Sequence, residues 1–426
     1  MLLSVCQAAP SSQSPGVPAG SAVGSVVAAG QAGDGSLIDR MCSDDARGLF
    51  CQCHSVRCTS APAIPGATQL WPKLLAACTA PFRKKQRSLR RREPRRPPRP
   101  RSGSHDGRIH TGRMAVREDL ERDGYCVVPG VVSEAKCDEY IAQYKAWLDT
   151  FPANNPVRSR LSLVKDYAIG HCEAAWEVRL AAKPIFASIW DTEKLLCSMD
   201  AVAIAPPPSE KDFDRGKVWL HCDQKATRQG LHAYQGAVYL EEATADDYCL
   251  RVLEKSHNCH QQFFATFPDA RKKSVAKEFY KLTKEQVAWY KEQGCALKCV
   301  AVPKGGMVLW DSRVIHDNRP PIRDRAHAGR WRFVTFVCMT PAKWASEQDL
   351  DKKRRAYEEL LLTNHYPSQK MRVLPDKTPS QQQDMSIKKH CKAAKSEDAK
   401  QLAGVVEYDF EDGEPNGRSA PVWLDK

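Results

Sequence analysis

Two short stretches decide how this chain of 426 residues reads: Trp219-Leu220-His221-Cys222-Asp223 and Leu309-Trp310-Asp311-Ser312-Arg313-Val314-Ile315-His316. The first follows Lys217-Val218, a β-prone run. On an extended strand, successive side chains alternate, which puts His221 and Asp223 on one side and Cys222 on the other. A second histidine from a later strand, His316, then completes three donors on one face of an octahedron. Such a 2-His-1-carboxylate set leaves three adjacent positions open and suits non-haem Fe(II).

The triplet alone carries little. With 12 histidines in the chain, His-x-Asp is expected by chance about once. A rival, His171-Cys172-Glu173, sits where apolar spacing favours a helix, and residues two apart on a helix point about 200° apart. The surroundings of His316 add weight. Cys299-Val-Ala-Val-Pro303 and Met307-Val-Leu-Trp310 read as two strands joined through Lys304-Gly305-Gly306. A polar loop over 317–329 leads into a further strand, Arg330 to Thr340. Arg332 shares the parity of Val334, Phe336 and Cys338 and so projects into the interior, where it needs an anionic partner. The distal carboxylate of 2-oxoglutarate is such a partner, through a bidentate guanidinium pair. Arg330 has the same parity and is the alternative anchor.

From about Val116 to Pro375 the chain resembles the phytanoyl-CoA dioxygenase family of Fe(II)- and 2-oxoglutarate-dependent oxygenases. The resemblance rests on an ordered set: Asp123-Gly-Tyr-Cys-Val-Val-Pro-Gly130, Leu195-Leu-Cys-Ser-Met-Asp200, the His221/Asp223 motif, Leu250-Arg-Val-Leu-Glu-Lys-Ser-His257, the stretch ending at His316, and the strand beginning at Arg332. It implies an α+β, mainly β fold: a double-stranded β-helix, a jelly-roll or cupin-like barrel flanked by helices. It also implies His221, Asp223 and His316 as catalytic iron ligands, Arg332 as the 2-oxoglutarate anchor, and Fe(II), 2-oxoglutarate and O2 as cofactor and co-substrates. The expected activity is hydroxylation of an aliphatic C–H of a small molecule or acyl substrate, with release of succinate and CO2. Two departures stand out. Asn318 occupies a position where relatives carry Ser, and its amide can give the same hydrogen bond to oxoglutarate. Lys255 stands where a Gly-Ser-His turn would have glycine.

Composition marks an extension at 1–113 read as disordered and a tail from 376 to 426 read as flexible, and the resemblance implies the dioxygenase domain between them, at 114–375. Residues 1–113 hold 17 Lys/Arg against 6 Asp/Glu, a net +11, leaving +2 for the rest. The block Arg83 to Arg101 offers a weak polyanion contact, so a nucleic-acid-binding protein is one alternative. A catalytically silent metal- and oxoglutarate-binding barrel is the other. The 17 cysteines lack regular spacing and read as reduced thiols. No apolar run is long enough for a membrane span, and a soluble cytoplasmic protein is expected, with a Ser/Ala-rich organellar peptide left open. Helices are expected over 115–124, 134–150 and 345–362. The aromatics Phe279, Tyr280, Trp289 and Tyr290 are expected as core anchors of a helical insertion, and His365 as a structural histidine beyond the barrel.

Overall fold

Hydrophobic residues at period two in the strands and helical period in their flanks sort this chain into four layers. The computed structural model describes residues 113–424 apart from 156, 158–161, 210, 211 and 278. The Ala/Gly/Ser/Pro-rich extension and the Arg83–Arg101 block therefore lie outside the described residues. In chain order the elements are α1 (Arg113–Asp123), β1 (Tyr125–Val128), α2 (Glu134–Asp149), β2 (Ser162–Val164), α3 (Glu173–Trp190), β3 (Leu195–Cys197) and β4 (Val202–Ala205). Then come β5 (His221–Cys222), β6 (Tyr234–Tyr239), β7 (Cys249–Glu254), α4 (His260–Thr266), α5 (Pro268–Lys277), β8 (Tyr280–Lys281), α6 (Lys284–Glu292) and β9 (Ala296–Val300). The chain continues with β10 (Met307–Asp311), β11 (His316–Arg319), β12 (Arg332–Pro341), α7 (Glu347–Glu358) and α8 (Glu397–Leu402).

The strands make two antiparallel sheets. One runs β1-β10-β6-β12-β4-β2, with β3 also on β12; the other runs β8-β5-β11-β7-β9. This is the double-stranded β-helix with flanking helices. Alternate residues face opposite ways. Val308, Trp310, Tyr239, Val334, Leu250 and Val252 meet between the sheets. Leu309, Val238, Phe333 and Val337 pack outward against α1–α3. On the far side Leu253, Cys222 and Ile315 pack on Phe263 and Tyr290 of α4 and α6.

Local chemistry fits the ends of these elements. Ser133 caps α2, and Thr283 with Gln286 forms a reciprocal capping box on α6. Gly305 has φ +73°, and a Cβ there would lie 2.0 Å from the Val132 carbonyl oxygen, so only glycine fits the crossing. Lys255, in place of the family's glycine, does take a left-handed conformation with φ 69°. Ser256 beyond it still accepts the Ile315 N–H at 2.8 Å.

The two strands joined through Gly305 and Gly306 belong to different sheets: β9 lies on β7, whereas β10 lies between β1 and β6, so the glycines carry the chain from one sheet to the other. One sequence expectation changes. The segment read as a flexible tail is packed on the body. Ala399 and Leu402 of α8 are fully buried. Lys194 pairs with Asp412 at 2.5 Å, Trp344 donates to the Arg418 carbonyl at 2.7 Å, and Leu424 N–H donates to the Thr227 carbonyl at 2.8 Å. Its polar composition hid the few apolar residues that dock it.

Leu402→Ala is expected to destabilise the protein by about 3 kcal/mol, the usual cost of emptying a buried leucine site. Urea denaturation measures it, and a flexible tail would give no change.

Candidate metal centre

The antiparallel pairing of β5 with β11 sets His221 directly opposite His316. The imidazole centroids are 4.4 Å apart. Asp223, one residue past β5, turns its carboxylate between them: Oδ1 lies 3.4 Å from His221 Nε2, and Oδ2 3.4 Å from His316 Nε2. All three donor atoms fall within 4.8 Å of one another. Adjacent donors on an octahedral ion with bonds of about 2.1 Å stand about 3 Å apart, so this N,N,O set fits a divalent metal of the iron type. Cys222 points the other way and is buried among the residues on α4 and α6, as strand alternation predicts.

Neighbours hold each donor. His316 Nδ1 is 3.0 Å from the Val314 carbonyl, a contact that directs Nε2 at the centre. Gln235 donates to Asp223 Oδ2 at 3.2 Å, and the Tyr366 hydroxyl donates to the Asp223 carbonyl at 3.1 Å. The His221 ring is stacked on Trp219, centroids 4.2 Å apart, with Phe279 edge-on at 6.3 Å. Burial pushes the Asp223 carboxyl up, but His221, His365 and the hydrogen bonds of His221 and His316 outweigh it and hold the group well below the usual carboxylate range. His316 is raised in return: burial lowers it, and Asp223 more than compensates. An anionic pocket walled by imidazoles favours a cation.

Farther along β11 and β12 is a second polar group. Arg332 Nη2 donates to Asn318 Oδ1 at 2.8 Å, which leaves the Asn318 amide hydrogens free of that contact. Its guanidinium carbon lies 6.0 Å from the centroid of the Tyr239 ring. Arg332 Nε is buried with no partner, so the guanidinium has a donor to spare for an anion. Arg330 precedes β12 and is paired with Asp247 at 2.8 Å and Glu242 at 2.7 Å.

Other expectations separate here. His171 is buried away from the centre, with Nε2 2.9 Å from the Leu361 carbonyl. His365 comes within electrostatic reach of Asp223, Asp200 and His316, and its Nε2 is buried without a partner. Sequence spacing does not reveal it, because the chain returns from beyond α7 to bring it there. Nor do Gln235 and Tyr239 announce themselves; only the inward parity of β6 marks them. Phe279 is no core anchor: it is 41% exposed, beside Trp219 at 43%. Tyr280, Trp289 and Tyr290 do pack in the expected apolar layer.

Beneath the centre, on the outer face of the same sheet, lies a buried ion pair. Arg251 Nε and Nη2 each donate to Asp317 at 2.8 Å, and Asp317 also accepts the Trp219 N–H at 3.0 Å.

Comparison with known proteins gives three findings. Residues 120–320 match the family model described as phytanoyl-CoA dioxygenase. A curated relative, "Ava biosynthesis cluster protein O" of Aspergillus versicolor, is 26% identical over 272 residues, 59% of this chain and 85% of that protein. The solved structure of the GlcNAc Inducible Gene 2 protein of Candida albicans is 14% identical and superimposes with a TM-score of 0.50, over 71% of this chain and 79% of that one. The epimerase SnoN, solved with Fe3+, alpha-ketoglutarate and nogalamycin RO, is 17% identical with a TM-score of 0.40, over 54% and 84%.

Arg332→Ala is expected to raise the 2-oxoglutarate dissociation constant about a hundredfold, the loss of roughly 3 kcal/mol from a charge-assisted pair. Arg330→Ala should leave it within about twofold. Calorimetric titration of both variants distinguishes the two arginines.

Proposed function

We propose that this chain, whose folded part belongs to the phytanoyl-CoA dioxygenase family of Fe(II)- and 2-oxoglutarate-dependent oxygenases, hydroxylates an aliphatic C–H of an amphipathic small molecule. Fe(II) is the cofactor, and 2-oxoglutarate and O2 are the co-substrates. The observation that carries the reading is the convergence of His221, Asp223 and His316 on one point between the sheets. In this reading the catalytic domain is residues 114–375, braced by the segment that follows.

When bound, the iron and oxoglutarate supply an oxidant strong enough to break an unactivated C–H bond, with succinate and CO2 as by-products. The chain's own residues do the rest. His221, Asp223 and His316 hold the metal on one side and leave the other open. Arg332 pairs with the far carboxylate of oxoglutarate, with the Asn318 amide and Tyr239 ring beside it. Burial of that arginine strengthens the pair and excludes water from it. The wall of Trp310, Val308, Val334 and Val252 keeps the interior apolar.

The substrate reading rests on the rim. Val218, Trp219 and Phe279 are exposed large apolar residues, and the two aromatics contact the His221 ring. An apolar body lying on them would reach the open side of the metal. His365, buried with an unpartnered nitrogen near Asp223, is the candidate to meet a polar group on the same molecule. The relative named for a biosynthesis cluster is compatible with a natural-product intermediate. No helix among the described residues is long and apolar enough to cross a membrane.

The test is anaerobic titration with Fe(II) and 2-oxoglutarate, followed by the visible metal-to-ligand charge-transfer band. The band is expected in the wild type and absent from His221→Ala. Well-folded, iron-loaded protein without it would remove this reading. Trp219→Ala and Phe279→Ala should leave the oxoglutarate titration within about twofold, because the aromatics do not touch that site, while raising the KM for any amphipathic molecule that stimulates succinate release about tenfold or more.

A further inference from the structure

Two pairs of thiols bracket the helical insertion between β7 and β9: Cys249 with Cys299, and Cys259 with Cys295. The first pair differs in its surroundings. Cys299 stands opposite Arg251 in the β7–β9 ladder, which makes Cys249, two residues along, its diagonal neighbour on the same face. The Cys249 thiol itself donates to the Ala245 carbonyl at 3.7 Å. Cys299 is partly exposed on an edge strand, whereas Cys249 is buried. Arg319 Nη1 donates to Cys299 Sγ at 3.6 Å. That guanidinium is itself fixed, by Asp214 at 2.9 Å and the Ala245 carbonyl at 2.8 Å.

A sulfur held against a fixed guanidinium is stabilised as the thiolate. The neighbouring Cys249 thiol, the hydrogen bond from Arg319 and the charges of Arg319 and Arg251 outweigh burial and lower the Cys299 thiol below the usual thiol range. In the second pair, burial with the neighbouring Cys259 pushes Cys295 up to about 12.

We propose that Cys299 is a peroxide-reactive thiolate and Cys249 its resolving thiol, together forming a reversible redox modification site on the outer face of the five-stranded sheet. The Cys299 sulfur attacks one oxygen of hydrogen peroxide. The O–O bond breaks, hydroxide leaves and takes a proton to become water, and Cys299 becomes a sulfenic acid. The Cys249 sulfur then attacks Cys299, the S–O bond breaks, and the hydroxyl departs as a second water with the Cys249 proton. Two thiols and one peroxide thus give one disulfide and two waters: sulfur is oxidised and peroxide reduced.

A disulfide needs Cβ atoms about 4 Å apart, whereas diagonal neighbours start farther away, so the bond draws β9 toward β7 under strain and is readily reduced again. It also takes from Arg319 its sulfur acceptor. Arg319 lies directly opposite Cys249, on the strand that carries His316 and Asn318.

The test uses the full chain, iron-free so that no radicals form, with a slight excess of hydrogen peroxide, alkylation of remaining thiols, and non-reducing peptide mass spectrometry. A Cys249–Cys299 cross-linked peptide that disappears with dithiothreitol is expected. It should form at least about tenfold faster than any product at Cys259 or Cys295. In Cys249→Ser, dimedone should trap Cys299 as the sulfenic acid, and Arg319→Gln should slow the reaction severalfold. Oxidation of Cys299 no faster than of Cys295, or a Cys299 product that never joins Cys249, would overturn the proposal. Neither readout uses metal or oxoglutarate, so the result is independent of the function proposed above.

Discussion

The carboxylate of Asp317 is the constraint on which the centre depends. Buried completely, it takes two hydrogen bonds from Arg251 and a third from the Trp219 backbone. One side chain thus ties β7, β11 and the approach to β5, the segments that carry or support both histidines. Removing one partner of such a pair leaves an unpaired buried charge and costs about 3–5 kcal/mol. Here the cost would fall on the alignment of His221 with His316, because the two-residue β5 has little ladder of its own. A short strand that must hold a ligand needs an anchor outside the sheet's regular bonding, and the Trp219 N–H provides it.

A second brace comes from the C-terminal segment. The Arg228 guanidinium lies between the rings of Tyr366 and Trp423, 3.7 and 4.2 Å from their centroids. Tyr366 in turn holds the Asp223 carbonyl. A cation between two aromatic faces, shielded from water, is worth more than the same contact at a surface. The stack runs from the last described residues to the backbone of Asp223, so the packing of this segment and the geometry of the site belong to one network.

How much of this is written in the sequence depends on whether the signal is local. The convergence of His221, Asp223 and His316 is legible because strand alternation puts the first two on one side of their strand and the ordered segments bring in the third. Arg332 and Arg330 have equal parity in the sequence, and what separates their surroundings is Asp247 and Glu242, which arrive from a distant loop and pair with Arg330. Gln235, Tyr239 and His365 left no trace, since each stands in an ordinary strand or loop and reaches the site by tertiary path alone. Phe279 misled in the opposite direction, because an aromatic in an apolar insertion usually buries, and this one does not. The segment from 376 misled for a related reason: its few docking residues are spread among many charges, and no periodic pattern survives.

The alternation of β11 accounts for why the centre and its anchor coexist in four residues. His316 and Asn318 face the interior, toward Asp223 and Arg332, while Asp317 and Arg319 face outward to Arg251, Trp219 and Asp214. A one-residue slip of this strand would exchange the two sets. It would drive a carboxylate and a guanidinium into the apolar layer between the sheets and turn the imidazole out. The cost of burying unpaired charge is far larger than that of losing one ladder hydrogen bond. The outward charges therefore specify the register, and the register aims the inward donors.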